Sequence, residues 1–333
     1  MSSTTHTRWR GLAVGSALLA AAGVLVMIWG LSGWTGLSAA QATLSSPTSL
    51  PPAEKLYTIR VQDVTVVTPF GVAAELPSTV TTLNADGSYE SRPVRWSPVF
   101  AGTLVSPGIH TISGTLLADG QPVTGHIRVF EPGHTVSVAA IGDSITMGYG
   151  LPNETEDCYP AQLGALLGDR FSVSGYGASG TTALTRGNAP YVNDPLYAES
   201  LQADSDVVLL QLGTNDSKAE NWRYGYELVA DYRALIDAYR SLPSAPTVYV
   251  VLPPAVQSSG IYGITDVGVN LVIREILAAV STDAFSDVTI IDNNAPTRHA
   301  PQYFTDAVHP NLAGAQLLAE IAQEHITGSG VRH

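Results

Sequence analysis

Three short segments place side chains able to move protons or attack a carbonyl beside small, turn-forming residues. They are Gly142-Asp143-Ser144, Gly213-Thr214-Asn215-Asp216 and Asp306-Ala307-Val308-His309-Pro310. A serine hydroxyl becomes a useful nucleophile when a base removes its proton, and an imidazole with an ordinary pKa near ~6.5 does so at neutral pH. Ser144 and His309 are therefore the candidate nucleophile and base. An aspartate three residues before the histidine can fold back onto its Nδ1–H and hold the tautomer that leaves Nε2 free, which makes Asp306 the candidate orienting acid. Taken singly, Asp306 reads equally as a helix N-terminal acid and His309 as a capping residue; together with Ser144 they gain a chemical meaning. Asp143 and Asp216 could be taken for the carboxylate pair of a glycoside hydrolase, but both read better as acceptors that fix loops. No His/Cys cluster and no HExxH accompanies them, so no metal is implied. Acyl transfer through serine needs only water, so no cofactor is implied either.

These segments need elements that bring them to one place. From Thr135 onward the apolar runs VSVAAIGDS, FSVSGYG, DVVLLQLGTND, PTVYVVLPP and VTIIDNN alternate with amphipathic stretches such as YPAQLGALLG, YGYELVADYRALIDAYRSL, VNLVIREILAAV and PNLAGAQLLAEIAQEHI. Continuous apolar runs of this length read as parallel strands buried on both faces. Five βα repeats predict a doubly wound, flavodoxin-like parallel sheet of five strands over 135–328. In such a sheet ligands bind beyond the carboxyl ends of the strands, where the reactive segments fall. The pattern G-x-S-x-G of an α/β-hydrolase is absent, because Ser144 is followed by Ile145 and Thr146.

The first part of the chain is built differently. Gly11 to Leu31 is uncharged, about as long as the ~20 residues that span a bilayer, and is preceded by Arg8 and Arg10. This predicts a cytoplasmic tail at 1–10 and a transmembrane signal anchor or signal peptide at 11–31, with everything beyond it exported. Ala40-Gln41-Ala42 offers a cleavage site, so the chain is membrane-bound through 11–31 or secreted after Ala42. A Ser/Thr/Pro/Ala-rich linker is expected over 32–55. Short β-branched runs separated by ADG and SPG turns predict an all-β sandwich of about seven strands over 56–132. With 29 acidic against 16 basic residues and a net charge of −13, nucleic acid is excluded as a partner. The one cysteine, Cys158, cannot form an intramolecular disulfide. It stands at a helix start beside acidic residues, which disfavours a thiolate nucleophile.

The blocks GDSITMGYG, GYGASGTT, GTND and DAVHP, in this order and spacing, resemble the four sequence blocks of the SGNH (GDSL-type) hydrolases, a superfamily of serine esterases. The stretch VTVVTPFGVAAELPSTVTTLNADGSYESRPVRWSP, followed by PGIHTISGTL, resembles bacterial Ig-like modules borne by secreted carbohydrate-active enzymes. The first resemblance implies a catalytic triad of Ser144, Asp306 and His309. It also implies an oxyanion hole made by the N–H groups of Ser144 and Gly177 and the amide of Asn215. The family has asparagine where this chain has Gly175, so the geometry of the second block is expected to differ. The continuation Ser217-Lys218-Ala219-Glu220-Asn221-Trp222 resembles a subgroup associated with deacetylation of carbohydrates, which makes Trp222 a candidate sugar platform, against an alternative as packing under the next helix. The expectation is an exported carboxylic ester hydrolase acting on short acyl, chiefly acetyl, esters of a glycan or small molecule, with the Ig-like domain touching a cell surface or polysaccharide. A lipid esterase or lysophospholipase of the same fold, or a non-catalytic surface-binding protein, are the competing readings.

Overall fold

A computed structural model describes residues 58–84, 87–100, 102, 105–257 and 260–328. The expected tail, membrane segment and linker all lie outside the described residues, and among those described no helix is long and apolar enough to cross a membrane.

Six strands form the β-rich part: β1 (Thr58–Val61), β2 (Val64–Thr68), β3 (Thr79–Asn84), β4 (Tyr89–Trp96), β5 (Gly108–Leu116) and β6 (Pro122–Val129). The expected seven become six among the described residues. The run YTIRVQDVTVV breaks at Gln62-Asp63 into β1, which pairs with β3, and β2, which pairs in parallel with β6. β4 changes partner along its length: Tyr89–Pro93 pair with β3, and Val94–Trp96 pair with β5. The two layers so formed enclose Val66, Val80, Leu116 and Ile127.

The second part carries β7 (Val136–Gly142), α1 (Ser144–Met147), α2 (Glu154–Asp157), α3 (Tyr159–Leu167), β8 (Phe171–Gly177), α4 (Pro195–Gln202), β9 (Val207–Gln211), α5 (Ala219–Trp222), α6 (Leu228–Arg240), β10 (Thr247–Leu252), α7 (Asp266–Val280), β11 (Thr289–Asp292), α8 (Asn294–Thr297) and α9 (Leu312–Thr327). The sheet order is β11-β10-β9-β7-β8, and every pair is parallel. Counting these strands from the first, the order is 2-1-3-4-5, that of flavodoxin-like folds, and the switch point lies between β7 and β9. Alternate residues of the strands serve opposite layers. Ala139, Ile141, Val208, Leu210, Val248 and Val250 face α6 and α7, whereas Val138, Ala140, Val207, Leu209, Tyr249 and Val251 face α3 and α9.

The two parts share a seam at the amino ends of the parallel strands. Val67 and Phe130 belong to the same apolar cluster as Val136, Tyr249, Ile291 and Ile326. The fully buried Tyr249 hydroxyl donates to Thr65 O (2.8 Å), and Thr65 N–H donates to Thr289 Oγ1 (2.9 Å). Arg128 donates to Ala245 O and Ser244 O at 2.9 and 3.2 Å.

Candidate active site

β7 delivers the first reactive segment. At Gly142 a Cβ would stand 2.1 Å from Thr146 Oγ1 and 2.7 Å from Gln211 O, so only glycine lets the chain turn this tightly from strand to helix. Asp143 caps α1, its Oδ1 accepting from Ile145 N–H at 2.9 Å. Ser144 is the first residue of α1, so its N–H has no carbonyl one turn back to bond.

The third segment meets it from the loop ahead of α9. Ser144 Oγ lies 3.0 Å from His309 Nε2, and His309 Nδ1 lies 2.9 Å from Asp306 Oδ2. Asp306 Oδ1 also accepts from the N–H groups of Val308 and His309, both at 2.7 Å. Burial alone would raise the Asp306 pKa. The hydrogen bonds from the His309 imidazole and from the two N–H groups outweigh it and hold this carboxyl below its ordinary value. The loop is tied down by Thr305 N–H to His309 O (2.9 Å) and Gln257 N–H to Ala307 O (2.7 Å). The helix begins two residues beyond Pro310, at Leu312, with Asn311 as its cap. Ser144 and His309 are each 6 % exposed.

Asn215 follows β9, directly across the switch point, and is buried. Its Nδ2 donates to Thr181 O at 3.1 Å, which brings it over the turn that follows β8. Asn221 clamps it from behind, Nδ2 donating to Asn215 O at 2.8 Å. That clamp stood unremarked in the sequence, where only its asparagine type hinted at a buried amide. Gly177 packs hard: a Cβ there would lie 2.4 Å from Met147 N. Ala178 N–H bonds Gly142 O, so in this parallel pairing the N–H of Gly177 points to the open edge of β8, away from β7. Three residues on, Gly180 is left-handed (φ 82) with open space where a Cβ would go, and its N–H has no acceptor among the described residues.

Asp143 and Asp216 act as loop-fixing acceptors. Asp216 takes N–H bonds from Leu184 (2.8 Å) and Ala183 (3.1 Å), and burial pushes its pKa up to about 7. Burial raises Asp143 likewise, against hydrogen bonds from Ile145 N–H and Thr214. Trp222 does not stand free at a rim: it is half-buried against the α6 and α7 side of the core, its ring within 3.0 Å of where a Cβ of Gly225 would be. Burial raises the Cys158 thiol, which faces Thr155 O at 3.7 Å. Among the described residues no group of His, Cys, Asp and Glu is arranged to hold a metal.

A doubly wound sheet whose carboxyl edge presents a hydrogen-bonded serine, histidine and aspartate at its switch point is the architecture of a serine ester hydrolase. Residues 140–317 match the GDSL-like lipase/acylhydrolase family, and residues 61–119 match the bacterial Ig-like domain (group 4). The first match takes in more than half of the chain, and the chain belongs to the GDSL-like lipase/acylhydrolase family. It is 35% identical over 205 residues to an acetylxylan esterase of Xylanibacter ruminicola, which covers 56% of this chain and 42% of that protein. The chain thus spans less than half the length of that curated relative. Among solved structures it resembles a carbohydrate acetylesterase from Sinorhizobium meliloti (21% identity, 57% of this chain and 97% of that one, TM-score 0.44). It also resembles an aryl esterase of M. smegmatis (20% identity, 57% and 100%, TM-score 0.43).

Proposed function

We propose that this chain is an exported serine esterase that removes short acyl groups, acetyl foremost, from a carbohydrate. The observation that carries the mechanism is the continuous chain from Ser144 Oγ through the His309 imidazole to Asp306. Ser144 Oγ attacks the ester carbonyl while His309 Nε2 takes its proton; the C–O bond to the alcohol breaks, and His309 returns the proton to the departing oxygen. Water then attacks the acyl-enzyme with His309 again as base, releasing the carboxylic acid and restoring Ser144. The oxyanion is met by Ser144 N–H, the Asn215 amide and a backbone N–H of the turn after β8. Gly180 fits that last role better than Gly177, whose N–H faces the sheet edge.

The carbohydrate reading is supported by the 35% identity to a protein named acetylxylan esterase and by the Ig-like module. Export, by a segment at 11–31 that either stays in the membrane or is cut after Ala42, would place the site where polysaccharides are. The Ig-like domain would then touch the cell surface or the polysaccharide itself. The test is a p-nitrophenyl ester series from acetate to palmitate, run beside acetate release from acetylated xylan and mannan. Best efficiency on acetate with acetate freed from a glycan is expected, and Ser144→Ala abolishes both. Best efficiency on octanoate or longer, with no glycan deacetylated, would replace this reading by a lipid esterase. An inert wild-type chain would replace it by a binding protein.

A further inference from the structure

Two tyrosines flank His309. The Tyr149 ring lies 4.7 Å from the imidazole centroid at 48°, and the Tyr262 ring 5.8 Å away at 61°. They are 43% and 53% exposed, whereas Ser144 and His309 are 6% exposed, so the reacting groups form a floor and the tyrosines its walls.

The backbone that presents them is unusual. Tyr149 stands between two left-handed glycines, Gly148 (φ 89) and Gly150 (φ 82), and its N–H bonds Ser144 O at 2.9 Å. Tyr262 is itself left-handed (φ 58), followed by Gly263 (φ 77). Ile261 and Ile264 exchange both backbone hydrogen bonds around them, at 3.2 and 2.9 Å. Two central residues with positive φ define a type I′ turn, whose favoured sequence is Asn-Gly and in which a bulky side chain at the first position is strained. Nothing in the turn itself calls for tyrosine. Strain of this kind persists where a side chain must be held in place for function.

The mechanism fixes which part of the substrate lies here. His309 Nε2 must reach the departing oxygen, so the alcohol half of the ester sits against the imidazole and between the rings that flank it. We infer that Tyr149 and Tyr262 form an aromatic cleft that receives the sugar ring carrying the ester, with Tyr262 a specificity-determining residue. The inference rests on the carbohydrate reading above. A pyranose presents a C–H-rich face that packs on an aromatic ring, while its hydroxyls remain in water. Desolvation and the nearby Asp306 carboxylate both raise the Tyr262 hydroxyl, so a role in orienting the triad has to be separated from one in holding sugar.

The test compares acetylated xylo- and manno-oligosaccharides with ethyl acetate, an ester without a ring, using the full chain and its Tyr262→Asn and Tyr262→Phe variants. Asparagine suits the turn, so Tyr262→Asn is expected to keep or raise the melting temperature. The ratio of kcat/KM on oligosaccharide to that on ethyl acetate should fall by about tenfold, the equivalent of one lost aromatic contact. The fall should lie in KM, and Tyr262→Phe should restore the ratio. An equal loss on both esters that phenylalanine does not rescue would make Tyr262 a positioning residue for Asp306 and overturn the cleft. An unchanged ratio would overturn it too. A wild-type chain that cleaves ethyl acetate but deacetylates neither oligosaccharide would remove the carbohydrate reading itself; one that deacetylates them, with an indifferent Tyr262→Asn, removes the cleft alone.

Discussion

Asn215 carries the sharpest expectation at the scale of single residues, because its amide reaches from the far side of the switch point to Asp143, the residue before the nucleophile. An oxyanion donor acts mainly in the transition state, so Asn215→Ala should lower kcat by roughly 10²–10³-fold with little change in KM. Steady-state kinetics on p-nitrophenyl acetate decide it, and a loss confined to KM would make Asn215 a binding residue instead. Asp306→Asn should leave only a trace of turnover, since an amide cannot hold the His309 tautomer in the same way. Asp216 gives a dependence on pH. Its carboxyl, pushed up to about 7 by burial, keeps in the folded chain a proton that the unfolded chain releases above 3.8. Stability from this group therefore falls as pH rises between those values and is greatest below them. Asp306, held below 3.8, works in the opposite sense, contributing stability that is lost only as pH falls below that value. Melting temperatures at pH 5 and pH 8 should fall more steeply for wild type than for Asp216→Asn. Ser144, His309 and Asp306 were legible because the chemistry admits few residue types. Tyr262 was not, because GIYGIT advertises a turn but says nothing of what the turn overlooks.

Among the elements, the strands were the most legible: unbroken apolar runs such as VVLLQ and TVYVVL are all buried in β9 and β10. What sequence could not resolve is which of the last two glycines in GYGASG, Gly177 and Gly180, serves which purpose, since only strand pairing reveals where an N–H points. The structure makes Gly177 the one that lets β8 lie against α1. Gly177→Ala would force a Cβ to 2.4 Å from the α1 backbone at Met147 N, and no flexible side chain can give way there. We expect a lower melting temperature together with reduced kcat, because the segment that must shift begins with Ser144. Gly180→Ala meets no atom and should cost only the strain of its left-handed backbone, about 1 kcal/mol, with its N–H kept. Thermal unfolding of the two variants side by side checks the assignment.

The whole molecule departs most from what the sequence suggests. Every candidate catalytic residue lies beyond 135, which invites the expectation that the α/β part would work alone once the Ig-like module is removed. The seam argues otherwise. Removing residues 58–131 would strip Val67 and Phe130 from an apolar cluster that also contains Tyr249 and Ile326, and would leave the buried Tyr249 hydroxyl without its acceptor. A chain starting near residue 132 is expected to be aggregation-prone and weakly active, and Tyr249→Phe in the intact protein to lose about 1 kcal/mol of stability without loss of turnover. Denaturant titration and activity of both proteins test this. Such a seam has no signature in sequence, because Val67 and Phe130 look like ordinary members of their own strands.

The seam also sets a path for mechanical load. In β1 Arg60 donates to Ser281 O, and just after it Gln62 donates to Val288 O, both at the end of the sheet where the parallel strands start. A pull transmitted through residue 58 therefore reaches the α/β part at that end first. Strand β7, seven residues and roughly 20 Å long, stands between that grip and Ser144. If the linker expected over 32–55 carries tension, that tension loads the junction of the two parts before it reaches the loops that carry Asn215, Tyr262 and His309.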